Sequence, residues 1–114
     1  MKGQTLFRRL GFALSGLGFA IARERSFRTH LLATAFVLLA LLLIRPEPLW
    51  WAVAVLAIGL VLVAELLNTA VETLSDRLHP ERHPEIRVVK DVAAGAVLLA
   101  STIAVVVAVI FLLR

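Results

Sequence analysis

The three longest stretches of the chain without aspartate, glutamate, lysine or arginine are residues 29–44, 49–64 and 92–113. At about 1.5 Å of rise per residue, the last reaches roughly 30 Å as a helix, the thickness of a bilayer's hydrocarbon core. The first two are shorter and need their flanks to cross. Between them, Arg45-Pro46-Glu47-Pro48 cannot continue a helix, because each proline removes a donor and pushes its predecessor out of the α region. Trp50 and Trp51 beside this loop suit an interfacial aromatic belt. The pattern predicts transmembrane helices over about residues 29–45, 48–74 and 90–113.

The N-terminal segment is different. Leu6, Phe7, Leu10, Phe12, Leu14, Leu17, Phe19 and Ile21 are interleaved with Arg8 and Arg9 and followed by Arg23 and Arg25. That mixture predicts an amphipathic helix over about residues 4–28, lying on the membrane surface. A signal peptide is the competing reading. It fits less well, because polar and glycine positions break the apolar stretch after Leu10 and charge follows it instead of a cleavage site.

Composition sharpens this into an all-α integral membrane protein. The 114 residues make one domain, spanning residues 1–114, and a hydrophobic share of 61% with mean hydropathy +0.94 argues against a soluble enzyme. The absence of cysteine excludes disulfides, thiolate nucleophiles and cysteine-ligated metals. A sequence pI near 11.1 could suggest nucleic acid. In a membrane chain the same excess marks the cytoplasmic side, so no nucleic-acid partner is expected. Of the 12 lysines and arginines, only Arg45 and Arg114 fall on the opposite side of the predicted spans. The N-terminal helix and the loop before the third span should therefore face the cytoplasm.

The informative charges sit at the end of the second span. Helical periodicity continues through residues 65–76, and at about 100° per residue Asn68, Glu72 and Asp76 fall at roughly −60°, −20° and +20° from Glu65. All four share one stripe. A carboxylate within a bilayer costs on the order of 2.5–3.5 kcal/mol on insertion scales, so such groups are paired, water-facing or functional. The bland alternative is the solvated end of a helix leaving the membrane, a reading that suits Asp76 better than Glu65. Carboxylates converging with an amide suit magnesium, which completes its shell with water and phosphate. Glu24 in the surface helix and Lys90-Asp91 at the start of the last span could join them, and a lysine at a helix start can bind phosphate. No GxxxxGK[ST] loop is present. His79 and His83 are four apart, but Pro80 and Pro84 break the helix that would align them on a metal. His30 reads as an interfacial residue, and the N-terminal arginines, Arg82 and Arg87 read as headgroup and topology determinants.

These residues carry a resemblance. Glu65-Leu66-Leu67-Asn68-Thr69-Ala70-Val71-Glu72, then Asp76, then Glu81-Arg82-His83, then the run from Lys90-Asp91-Val92-Ala93-Ala94-Gly95 to Leu99 resemble the signature of the prokaryotic diacylglycerol kinase family. Glu24 with Phe27-Arg28 fits the family's surface helix, so the likeness covers nearly the whole chain. Arg28-Thr29-His30, His83-Pro84 and the run from Lys90 look more like its undecaprenol kinase branch.

The resemblance implies an integral-membrane lipid kinase with three transmembrane helices and a surface helix, assembled as a homotrimer with sites shared between subunits. It would transfer phosphate from ATP, with Mg2+, to a membrane lipid alcohol, undecaprenol or diacylglycerol. Carried over residue by residue, Glu65 matches the general base, and Glu24 and Glu72 match magnesium-binding carboxylates. Glu81, Arg82, His83, Lys90 and Asp91 fall at nucleotide-contacting positions, with Asn68 and Asp76 in the same cluster. Phe12 is at a nucleotide-contacting position where the family often has tyrosine, and Ser26 replaces an asparagine common in the undecaprenol branch. A rival reading is a small proton-coupled transporter or channel subunit using Glu65 alone. A third is a scaffold whose acidic stripe only pairs with arginines.

Overall fold

The computed structural model describes residues 3–78 and 83–114, and every regular element among them is an α-helix. The elements are α1 (Leu6–Arg23), α2 (Arg25–Ile44), α3 (Pro48–Leu78) and α4 (Pro84–Leu113). The last three are long and apolar enough to cross a membrane, and α1 is the short amphipathic helix that precedes them. The chain is a multi-pass membrane protein.

Local chemistry explains most of the ends. Thr5 Oγ1 accepts the Arg8 N–H at 3.3 Å and so caps α1. Arg45 ends α2 in the left-handed region at φ 55°, its N–H donating to the Leu41 carbonyl at 2.8 Å, and Pro46 prevents continuation. Pro84 opens α4, where the missing N–H costs nothing, and His83 Nδ1 accepts the Glu85 N–H at 3.2 Å. That cap starts α4 ahead of residue 90. α3 likewise runs to Leu78, past residue 74, because no glycine or proline interrupts the Thr69–Asp76 stretch.

The boundary between the surface helix and the first span departs from expectation. It falls at Glu24, whose φ −106° and ψ 107° are extended, so Phe27 and Arg28 belong to α2 and not to the surface helix. No glycine or proline marks this corner. Arg28 stabilises it by donating from Nη1 to the carbonyls of Ile21 at 2.8 Å and Ala22 at 3.0 Å, acceptors left open at the end of α1. Arg28 is therefore a structural clamp, and not merely a topology determinant.

The packing is centred on α3. Its contact with α4 is the most extensive, that with α2 is smaller, and α1 touches α2 and α3 lightly. Val61 and Ala64 of α3 bury against Ala100 of α4, flanked by Val97 and Ala104. At the far end Trp50 meets Phe111 edge to face, with ring centroids 5.1 Å apart. A Cβ built on Gly95 meets nothing within 4 Å, so close approach within the chain uses Ala100 and not Gly95. The radius of gyration, 16.9 Å, exceeds the roughly 13 Å of a compact 100-residue domain. Leu32, Phe36, Leu56 and Leu98 are all exposed on the single chain, surface that lipid can cover without penalty.

Candidate active site

Glu65 is the most buried carboxylate of the described residues, 3% exposed on an otherwise apolar stretch of α3. Isolated burial of this group would be costly, so it needs polar partners. α2 supplies them. Ser26 Oγ donates to Glu65 Oε1 at 3.3 Å, and His30 Nδ1 lies 2.8 Å from the same oxygen. The imidazole is close in distance yet out of line for a formal hydrogen bond, and its Nδ1 is shielded from solvent and has no other partner. Ser26 and His30 are one helical turn apart, so both face α3 from the start of α2.

One turn further along α3, Asn68 Nδ2 donates to Glu72 Oε1 at 3.2 Å. Asn68 also lines an apolar groove of about 660 Å³ between α3 and α4, with Val71, Val88 and Val92 among its walls. Lys90 Nζ then reaches Asp76 Oδ1 at 2.7 Å, and Arg87 pairs with Asp91 at 3.3 Å on the exposed side of α4. The stripe predicted from spacing is therefore divided by its partners. Glu65 is held by α2, Asp76 by α4, and Asn68 with Glu72 lies between them.

The other expected positions are more scattered. Glu24 stands in the extended corner between α1 and α2, partly buried and making no capping hydrogen bond with its side chain. Phe12 is exposed on α1. His83 caps α4, a structural task that spacing did not suggest. Glu81 and Arg82, like His79, lie outside the described residues. Two participants were missed. Ser26 was visible only as a departure from the undecaprenol branch, and His30 was read as interfacial. A serine and a histidine four apart at the mouth of an apolar helix were the available signal.

Among the described residues no three acidic or histidine side chains gather as metal ligands within one chain. The chemistry available still fits magnesium in part: Glu72 offers a carboxylate, and beside it Asn68 Oδ1 is buried without a hydrogen-bond partner. Magnesium needs only one or two protein oxygens when phosphate and water complete its shell.

A small three-span protein with one deeply placed carboxylate, and an acidic and cationic rim beside it, is built for polar chemistry at a membrane face. The chain belongs to the prokaryotic diacylglycerol kinase family, whose model matches residues 11–112. It is 40% identical over 97 residues to a diacylglycerol kinase of Synechocystis, covering 84% of this chain and 55% of that protein. It is 39% identical over 74 residues to an undecaprenol kinase of Bacillus subtilis, covering 65% of this chain and 60% of that one. A diacylglycerol kinase of Pseudomonas aeruginosa is 32% identical over 106 residues, with 90% and 86% covered. The chain thus spans little more than half the length of the first two relatives, and their near-equal identities give neither branch preference.

Proposed function

We propose that this protein phosphorylates a membrane lipid alcohol, undecaprenol or diacylglycerol, using Mg-ATP at the cytoplasmic face of a bacterial inner membrane, and that it does so as a homotrimer. The observation that carries this reading is the placement of Glu65. It lies about 22 Å along α3 from Trp50, which leaves it within roughly 8 Å of the opposite edge of a 30 Å hydrocarbon core. A lipid hydroxyl, anchored by its tails, comes to that depth. Support for the activity comes from the named relatives, which are diacylglycerol and undecaprenol kinases.

In this reading Glu65 takes the proton of the lipid hydroxyl as its oxygen attacks the terminal phosphorus of ATP. Ser26 and His30 orient the carboxylate. Glu24 and Glu72, with Asn68 Oδ1, would hold magnesium, which supplies charge neutralisation to the phosphates when bound. Lys90 leaves Asp76 to meet a phosphate, and Asp91 with the residues preceding α4 completes the nucleotide side. The rim is open on the single chain, and its uncovered apolar helices are consistent with neighbouring copies closing it.

The decisive experiment incubates purified protein in mixed micelles with labelled Mg-ATP and either undecaprenol or diacylglycerol. Transfer of label to one of them is expected, and the preferred acceptor identifies the substrate. A proton-coupled transporter would give no labelled lipid, and would carry flux in liposomes that depends on Glu65.

A further inference from the structure

Transfer to an alcohol releases one proton, and Glu65, 3% exposed on the single chain, meets little water to which it could pass it. Glu65 must be emptied before each new turnover. We propose that His30 is the proton relay that empties it; this rests on the kinase reading and goes beyond it by assigning the histidine a step in the cycle.

Three observations place the relay. His30 Nδ1 is 2.8 Å from Glu65 Oε1, and it is the imidazole atom hidden from solvent. The His30 side chain as a whole is 30% exposed, against 4% for that of Glu65, so the same ring faces the carboxylate on one side and the surroundings on another. It also lies in the opening turns of α2, close to the charged corner formed by Glu24, Arg25 and Arg28. Imidazole is suited to the task because its two nitrogens can accept on one side and release on the other at physiological pH.

The protons balance. The lipid O–H bond breaks as the new O–P bond forms and the bond to ADP breaks, and the proton goes to a Glu65 carboxylate oxygen. A turn of the ring brings Nδ1 into line with Oε1, where His30 in its Nε2–H tautomer accepts that proton at Nδ1 and gives up its Nε2 proton to water. Tautomer exchange or ring rotation then restores the starting state. Ser26 cannot substitute, since a hydroxyl hydrogen-bonded to Glu65 orients the carboxylate without being a competent store for the proton. His30 acts through Glu65, so it is a positioning and relay residue and not one that touches substrate.

The test compares His30→Gln, His30→Ala and Ser26→Ala in the full chain, with Mg-ATP and the accepted lipid alcohol. His30→Gln keeps a polar side chain but not a titratable one; its kcat should fall about ten- to a hundredfold with both KM values within about twofold. Added imidazole should restore turnover to His30→Ala in a saturable way, a recovery that a purely structural role would not give. Ser26→Ala should also lower kcat, because Ser26 orients the carboxylate, but added imidazole should not restore it. In a Glu65→Gln background, His30→Gln should add little further loss, because the two act in one step. Wild-type turnover in His30→Gln, or failure of imidazole to revive a folded His30→Ala protein, would overturn the relay while leaving the kinase reading intact. Absence of lipid phosphorylation in the unmutated protein would overturn both.

Discussion

Lys90 Nζ donates to Asp76 Oδ1 at 2.7 Å, joining the start of α4 to the end of α3 across the segment that separates them. The pair neutralises the one lysine among the described residues, so phosphate must compete with Asp76 for it. Asp76 is largely exposed, and such a pair contributes at most about 1 kcal/mol. Lys90→Gln is expected to leave the melting temperature nearly unchanged and to raise the KM for ATP by about tenfold. An unchanged KM would remove Lys90 from the nucleotide site.

Glu65→Gln separates chemistry from binding. Turnover should fall by about 10²-fold or more, while ATP affinity, measured by nucleotide titration, changes less than about threefold. Joint loss of turnover and ATP binding would instead place Glu65 in the nucleotide site.

Glu72→Gln and Glu24→Gln should each abolish transfer at ordinary magnesium concentrations without unfolding the protein. The amide keeps the shape of the carboxylate but weakens the site for a hard cation, so part of the activity should return as magnesium is raised. If Glu24→Gln proves innocuous, the corner between α1 and α2 is a structural joint alone.

Mixing two inactive proteins, one carrying Glu65→Gln and one Glu72→Gln, should restore part of the activity if sites are completed between copies. Native mass measurement in detergent should show a trimer. A fully active monomer would remove the shared site.

Trp50 and Phe111 should couple energetically. In a double-mutant cycle with alanine at each position, the interaction between the rings is expected at about 0.5–1.5 kcal/mol, read from unfolding in detergent. No coupling would show that the end of the α3–α4 pair is held by its aliphatic neighbours.

Much of this molecule was legible in its residues, because the determinants are local. Three charge-free runs become helices α2, α3 and α4 since a bilayer-length apolar segment can satisfy its backbone only internally. The Pro46 and Pro48 break, the aromatic edge at Trp50 and the acidic end of α3 follow from the same kind of short-range rule. The motif spanning Glu65 to Glu72 also led to the family that the comparison established. What only the tertiary structure decided is which neighbour each polar group meets. Residues 20–28 contain no helix breaker, so the corner at Glu24 depends on Arg28 folding back onto the Ile21 and Ala22 carbonyls. Spacing put Glu65 and Asp76 on one stripe, but the register of α2 and α4 against α3 gave the first to His30 and Ser26 and the second to Lys90. A helical period specifies direction around one axis, whereas pairing across helices depends on how far each slides along its neighbour, which for α4 against α3 is set by the packing of Val61, Ala64 and Ala100.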